Sequence, residues 1–149
     1  MTEDLQQLDV QVLLADHADV AGGKLYLNGG CWTITRPGAP HAVAVIIEVP
    51  WDMTNRRMEV VVELLDSDGH PVAPRGNPVR LVRPMEAGRP PGHPIGAPVT
   101  GLVTTLNVNG LPLENGARYE WRVSVDGTSL AHWSRAFSVV AAPTPPKQA

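Results

Sequence analysis

The densest polar cluster in the chain is Asp16-His17-Ala18-Asp19. A histidine between two carboxylates is the material of a metal site or a proton relay. On a strand, however, neighbouring side chains point to opposite faces, so Asp16 and His17 diverge. The same residues suit a strand that ends in a turn, with Asp16 capping backbone groups, and that is the expectation. The five histidines, at 17, 41, 70, 93 and 132, contain no i, i+4 pair of the zinc-protease type. His41, His70 and His93 each stand beside proline or glycine, which predicts exposed loop positions. Asp66-Ser67-Asp68-Gly69 has the opening of a calcium loop, but no glutamate follows at the closing position, so a hairpin turn is expected. Gly22-Gly23-Lys24 lacks the spacer and the hydroxyl residue of a phosphate-binding loop. Cys31 precedes Trp32 in a glycine-rich stretch. A nucleophilic cysteine needs a base and an electropositive setting, and the commoner role of a free cysteine is a small buried hydrophobe. No Gly-x-Ser-x-Gly motif occurs. No catalytic, metal-binding or cofactor-binding residue is therefore assigned, no cofactor is implied, and the expectation is a protein that is not an enzyme.

Aromatic and basic residues offer a different chemistry. Trp121 lies on the apolar face of an alternating run, and Trp133 and Phe137 share a parity, so all three are expected in the core. Trp32 and Trp51 fall where strands meet loops, where an indole can stack on a sugar or grip a peptide. Residues 80–98 carry prolines at 84, 90, 91, 94 and 98, which deny ladder hydrogen bonds. This segment is expected to leave the sheet as a long excursion, and loops of that length are uncommon in compact domains unless functional or disordered. Arg83 and Arg89 supply planar donors for carboxylates, and Met85 and Ile95 supply apolar contacts. With Trp51 they form the candidate partner-binding set.

The elements that must position these groups are strands. Residues 58, 60, 62 and 64 are apolar and alternate with Glu59 and Glu63; Tyr119, Trp121, Val123 and Val125 alternate with polar neighbours. Residues 41–49 are apolar on both faces, which places that strand centrally. Asp126-Gly127 suits a tight primed hairpin turn. Eight strands are expected, at about 7–15, 24–34, 41–49, 58–66, 78–83, 99–108, 117–125 and 130–139. Asn28-Gly29-Gly30 marks a bulge or bend within the second. Asn115-Gly116-Ala117-Arg118-Tyr119-Glu120-Trp121 resembles the tyrosine corner of immunoglobulin-type sandwiches, with Trp121 where an inward cysteine would stand. The fold class is all-β: a single antiparallel immunoglobulin-like β-sandwich over residues 1–140, followed by a mobile proline-rich tail, 141–149.

A longer pattern runs through the chain: Leu13-Leu14-Ala15-Asp16-His17-Ala18, Gly23-Lys24-Leu25, Gly29-Gly30-Cys31-Trp32, Val49-Pro50-Trp51-Asp52, Leu64-Leu65-Asp66-Ser67-Asp68-Gly69-His70-Pro71-Val72 and Tyr119-Glu120-Trp121-Arg122. It resembles a family of small bacterial proteins catalogued only as a domain of unknown function. The resemblance implies a compact, soluble β-sandwich, and it brings no activity, cofactor or catalytic residue.

The 149 residues amount to one domain, long enough to fold without a disulfide or metal staple. The formal net charge of −3 argues against general binding to nucleic acid or to anionic membranes. Charge is unevenly placed: residues 1–20 hold five acidic and no basic side chains, while residues 70–98 hold four arginines against one glutamate. The N-terminus has neither the basic start nor the apolar run of a secretory signal, and no apolar run is long enough to span a membrane. A cytoplasmic protein is expected. Its function is expected to be that of a non-enzymatic module working through protein–protein contacts or self-association, as an accessory or structural subunit. The alternative is a small-ligand or carbohydrate-binding module using Trp32 or Trp51.

Overall fold

The computed structural model describes residues 5–141. Nine strands form two sheets: β1 (Asp9–Ala21), β2 (Lys24–Gly30), β3 (Ile34–Thr35), β4 (His41–Val49), β5 (Arg57–Asp66), β6 (Arg80–Glu86), β7 (Val99–Val108), β8 (Arg118–Val125) and β9 (Ser134–Val139). One sheet has the order β2-β1-β4-β7, the other β3-β9-β8-β5-β6. All pairings are antiparallel except the short β3–β9 ladder. The protein is an all-β sandwich. Among the described residues no helix is long and apolar enough to cross a membrane. Apart from Ala141, the expected tail lies outside the described residues.

Alternation builds the core between the sheets. Val43, Val45, Ile47 and Val49 of one sheet are buried opposite Met58, Val60, Val62, Leu64, Trp121, Val123 and Val125 of the other. Trp133 and Phe137 join them, as their shared parity predicts. The Tyr119 hydroxyl oxygen accepts the backbone N–H of Glu114 at 3.0 Å and pins the approach to β8. At the β8 hairpin Asp126 and Gly127 both have positive φ, 48° and 80°, and the Asp126 carboxylate accepts the Glu59 backbone N–H at 2.8 Å.

Several expectations change. The first strand does not end near residue 15. It runs to Ala21, so Asp16-His17-Ala18-Asp19 is strand, not turn. Beyond Ala15, which is the last residue paired with β4, β1 and β2 continue as a hairpin whose Ala18 packs with Ala42 and Ala44 on the outer side of β4. The Asn107 side chain fastens this layer, its Oδ1 accepting the Ala18 N–H at 3.1 Å and its Nδ2 donating to the Ala18 carbonyl at 2.8 Å. Secondly, the expected strand 24–34 is two strands in different sheets. Gly29 (φ 64°) and Cys31 (φ 69°) turn the chain between them. A side chain at Gly29 would strike Asp16, 2.3 Å from its Oδ2. Cys31 is exposed, not a buried hydrophobe.

Thirdly, His41 is buried in the core rather than exposed in a loop. Its Nε2 accepts the indole N–H of Trp121 at 3.1 Å, and its ring lies edge-on to Trp32 and against Phe137. The neutral ring fits this site: Nε2 can accept from Trp121 only while unprotonated. Burial lowers its pKa from 6.5 to about 4, against a smaller opposing effect of a hydrogen bond with the Ala39 backbone.

Two predictions follow from this core. Replacing Trp121 by alanine empties a fully buried aromatic site and costs about 3–5 kcal/mol in urea unfolding. The folded-state pKa of His41 lies below its unfolded value, so the unfolded chain takes up the proton first. Its contribution is complete above pH 6.5 and is lost as pH falls toward 4, by about 3 kcal/mol. Urea midpoints measured stepwise from pH 7 to 4 will fall more steeply for the native protein than for His41→Gln, whose carboxylates are the same. Equal slopes would disprove the assignment.

Candidate functional site

Strand β4 ends at Val49, and Pro50 leads into one 3-10 turn, Trp51–Met53, held down by the buried Met53 side chain. The Thr54 hydroxyl donates to the Trp51 carbonyl at 2.8 Å. Asn55, at φ 61°, donates its backbone N–H to the Ala87 carbonyl at 2.7 Å and so joins this turn to the loop 87–98. The Arg89 guanidinium lies over the Trp51 ring, 3.9 Å from its centroid. Its Nε donates to the Thr54 hydroxyl at 2.7 Å and its second nitrogen to the Trp51 carbonyl at 2.8 Å. The His93 ring stacks on Trp51, with centroids 6.1 Å apart and planes at 11°. His93 Nε2 also stands 3.1 Å from the Pro98 carbonyl oxygen.

The prolines are therefore ordered into tight turns. His93 N–H donates to the Pro90 carbonyl and Ala97 N–H to the Pro94 carbonyl, with Gly92 and Gly96 at φ 81° and 83°. An arginine on an indole contributes roughly 0.5–1 kcal/mol at a surface, and here two hydrogen bonds fix its geometry. The result is a braced loop whose Ile95 is 91% exposed.

Beside this loop lies an open cleft of about 410 Å³, lined by Gln7, Asp9, Glu48, Trp51, Asp52 and Pro98 among others. Asp9 and Glu48 are direct cross-strand partners of β1 and β4, so their side chains leave the sheet on one face. With Asp52 they give the cleft three carboxylates, and none of its lining residues among those described is basic. The sequence reading missed this set, because only the strand register brings Asp9 to Glu48.

The candidate partner-binding residues separate. Trp51, Arg89 and Ile95 come together in one structure. Met85 does not belong to it: it is 1% exposed, in register with the buried Met58 and packed beneath Gly101, where a side chain would stand 2.9 Å from its sulfur. The excursion begins at residue 87, not 80, since residues 80–86 form β6 on the sheet edge. Pro84 is accommodated there because an edge strand leaves one side of its backbone unpaired. Arg83 is exposed on that edge strand. The Arg89 guanidinium is engaged by Trp51 and Thr54. Trp32 is half-buried with its ring against His41 and Phe137, and its indole N–H is enclosed, so it belongs to the core.

Two polar clusters remain. His17 and Asp19 pair at 2.9 Å on the exposed face of β1. Asp66, Asp68 and His70 each offer one ligand atom, all within 4.8 Å of one another, and are the described residues best placed to hold a cation. Asp66 Oδ1 already accepts the backbone N–H groups of Asp68 and His70, both at 2.9 Å, which accounts for the hairpin turn without an ion.

No curated protein matches the chain. A family described as one of unknown function, DUF6941, matches residues 11–137, and the chain belongs to that family.

Proposed function

We propose that the protein is a non-enzymatic, immunoglobulin-like β-sandwich module of the cytoplasm that acts through protein–protein contact. The observation that carries the reading is Ile95, an almost wholly exposed aliphatic side chain on a loop braced by the Arg89–Trp51–His93 stack. A loop ordered before contact loses little entropy on docking. The three carboxylates beside it favour a partner with basic groups around an apolar pocket. The immunoglobulin-like assignment is supported by the Tyr119–Glu114 bond and by the passage of the chain from β2 in one sheet to β3, parallel to β9, in the other. The cleft's charged lining groups are all carboxylates, with no nucleophile–base pair among the described lining residues.

Trp51 also favours a second reading, a small-ligand or carbohydrate site, since it is half-exposed at the cleft. Arg89 and His93, however, already stack on its ring.

Affinity recovery of the native protein and of Ile95→Asp from its own lysate tests the first reading. The native protein is expected to recover a stoichiometric protein that the variant loses, with thermal unfolding unchanged. Recovery of no protein, or of the same set by both, would refute it. Saturable sugar binding that Trp51→Ala abolishes and Ile95→Asp spares would establish the second. Removal of divalent ions by chelation is expected to leave the unfolding midpoint where it was, and a stoichiometric ion lost together with stability would show the Asp66–His70 turn to be a metal site.

A further inference from the structure

The sandwich has four edge strands, β2 and β7 in one sheet and β3 and β6 in the other. An edge presents unpaired N–H and C=O groups, and proteins guard it with short length, charge, proline or a covering layer. Three of the four are guarded. β3 is two residues long. β2 carries Lys24 and ends in the positive-φ bend at Gly29. β6 carries Arg80, Pro84 and Glu86, and also Arg83, which is in register with the buried Val60 and so leaves on the core side of its sheet.

β7 is different. Its ten residues, VTGLVTTLNV, include no charge and no proline. Among the described residues its backbone pairs only with β4. Its one irregularity, the bulge that leaves Gly101 without a partner, sits near one end, so residues 102–108 form a regular ladder with β4. Leu102 and Leu106 are in register with the buried Ile47 and Val43, yet each stays half-exposed because nothing lies beyond them in the sheet.

The sequence of this edge is complementary to itself. With Thr104 opposite Thr104 of a second copy in antiparallel pairing, Leu102 meets Leu106 and Val103 meets Thr105. Every such pair is aliphatic or hydroxyl-bearing, types that support cross-strand contact, and no like charges meet. We propose that β7 is a self-association edge: two copies of the chain join by antiparallel pairing of their β7 strands about Thr104, merging their four-stranded sheets into one continuous sheet. The assignment stands apart from the Ile95 loop, and the Ile95→Asp protein is expected to dimerise as the native one does.

Val103 and Thr105 are half-exposed register partners of Ile46 and Ala44, on the outer face of the sheet and away from the core between the two sheets. The test is sedimentation equilibrium of the full chain across micromolar concentrations. The native protein is expected as a dimer. V103K/T105K sets lysine opposite lysine and raises the dissociation constant at least about tenfold, with the far-UV spectrum intact. V103K/T105E sets lysine opposite glutamate across the dyad and restores the dimer. A native monomer at every concentration, open-ended oligomers, a folded V103K/T105K that stays dimeric, or a V103K/T105E no tighter than it would each overturn the proposal. Should V103K/T105K fail to fold, T104C/C31S decides. Opposed residues in an antiparallel pair lie about 4.5–5.5 Å apart, within disulfide reach, so mild oxidation yields a covalent dimer if the register is right and none if it is wrong.

Discussion

Strand β4 is apolar on both faces, and neither face can be left to water. Its inner side chains, Val43, Val45, Ile47 and Val49, meet the second sheet. Its outer side chains are small where a second layer must come close: Ala42 and Ala44 are buried under Ala18, with Leu13, Leu25 and Leu27 around them. That layer exists because β1 is longer than its partner. Its pairing with β4 ends at Ala15, opposite Ala42, and it continues with β2 as a hairpin. The two hydrogen bonds between Asn107 and the Ala18 backbone stand where the β1–β4 ladder has stopped. Larger residues at 42 or 44 would lift the hairpin and break these hydrogen bonds, each worth roughly 0.5–1.5 kcal/mol.

Between the sheets the polar content is small and specific. His41 and Trp121 bring two ring nitrogens into an apolar interior, and each satisfies the other. Trp121 on β8 thus makes a hydrogen bond across the sandwich to His41 on β4. Such a link fixes the relative position of β4 and β8 without needing an oxidising compartment.

Much of the strand pattern was legible because alternation is local. Tyr119 to Val125, residues 58–64 and the doubly apolar β4 all report their burial through period two. Long-range facts were not legible. His41 looks like a loop histidine beside Pro40, and only the approach of Trp121, eighty residues away, makes it a core acceptor. Met85 sits among prolines and arginines, yet its parity on an edge strand turns it toward Met58. Proline density overstated the excursion because an edge strand tolerates proline where a central one does not. The three-carboxylate cleft needed register, which a single sequence does not disclose. Trp51 and Arg89 could be chosen from residue type, but not their stacking, since Arg89 was expected to face a partner and instead braces its own loop.

The stretch from β6 through the loop to β7 connects one edge of the second sheet to one edge of the first, and it divides two physical tasks. On β6 the charges and Pro84 oppose strand addition. On β7 the same side of the sandwich is left free of both. Between them the loop is tied back to the turn after β4 by Asn55 and Arg89, so it does not fold over the bare edge or pair with it. An arginine and an imidazole stacked on one indole hold the loop in place. An edge merely neglected by selection would more often carry some charge over ten residues, as β6 does over seven. Bracing the loop keeps Ile95 outward and leaves the β7 backbone paired with β4 alone among the described residues, which is the geometry that the two proposed contacts need.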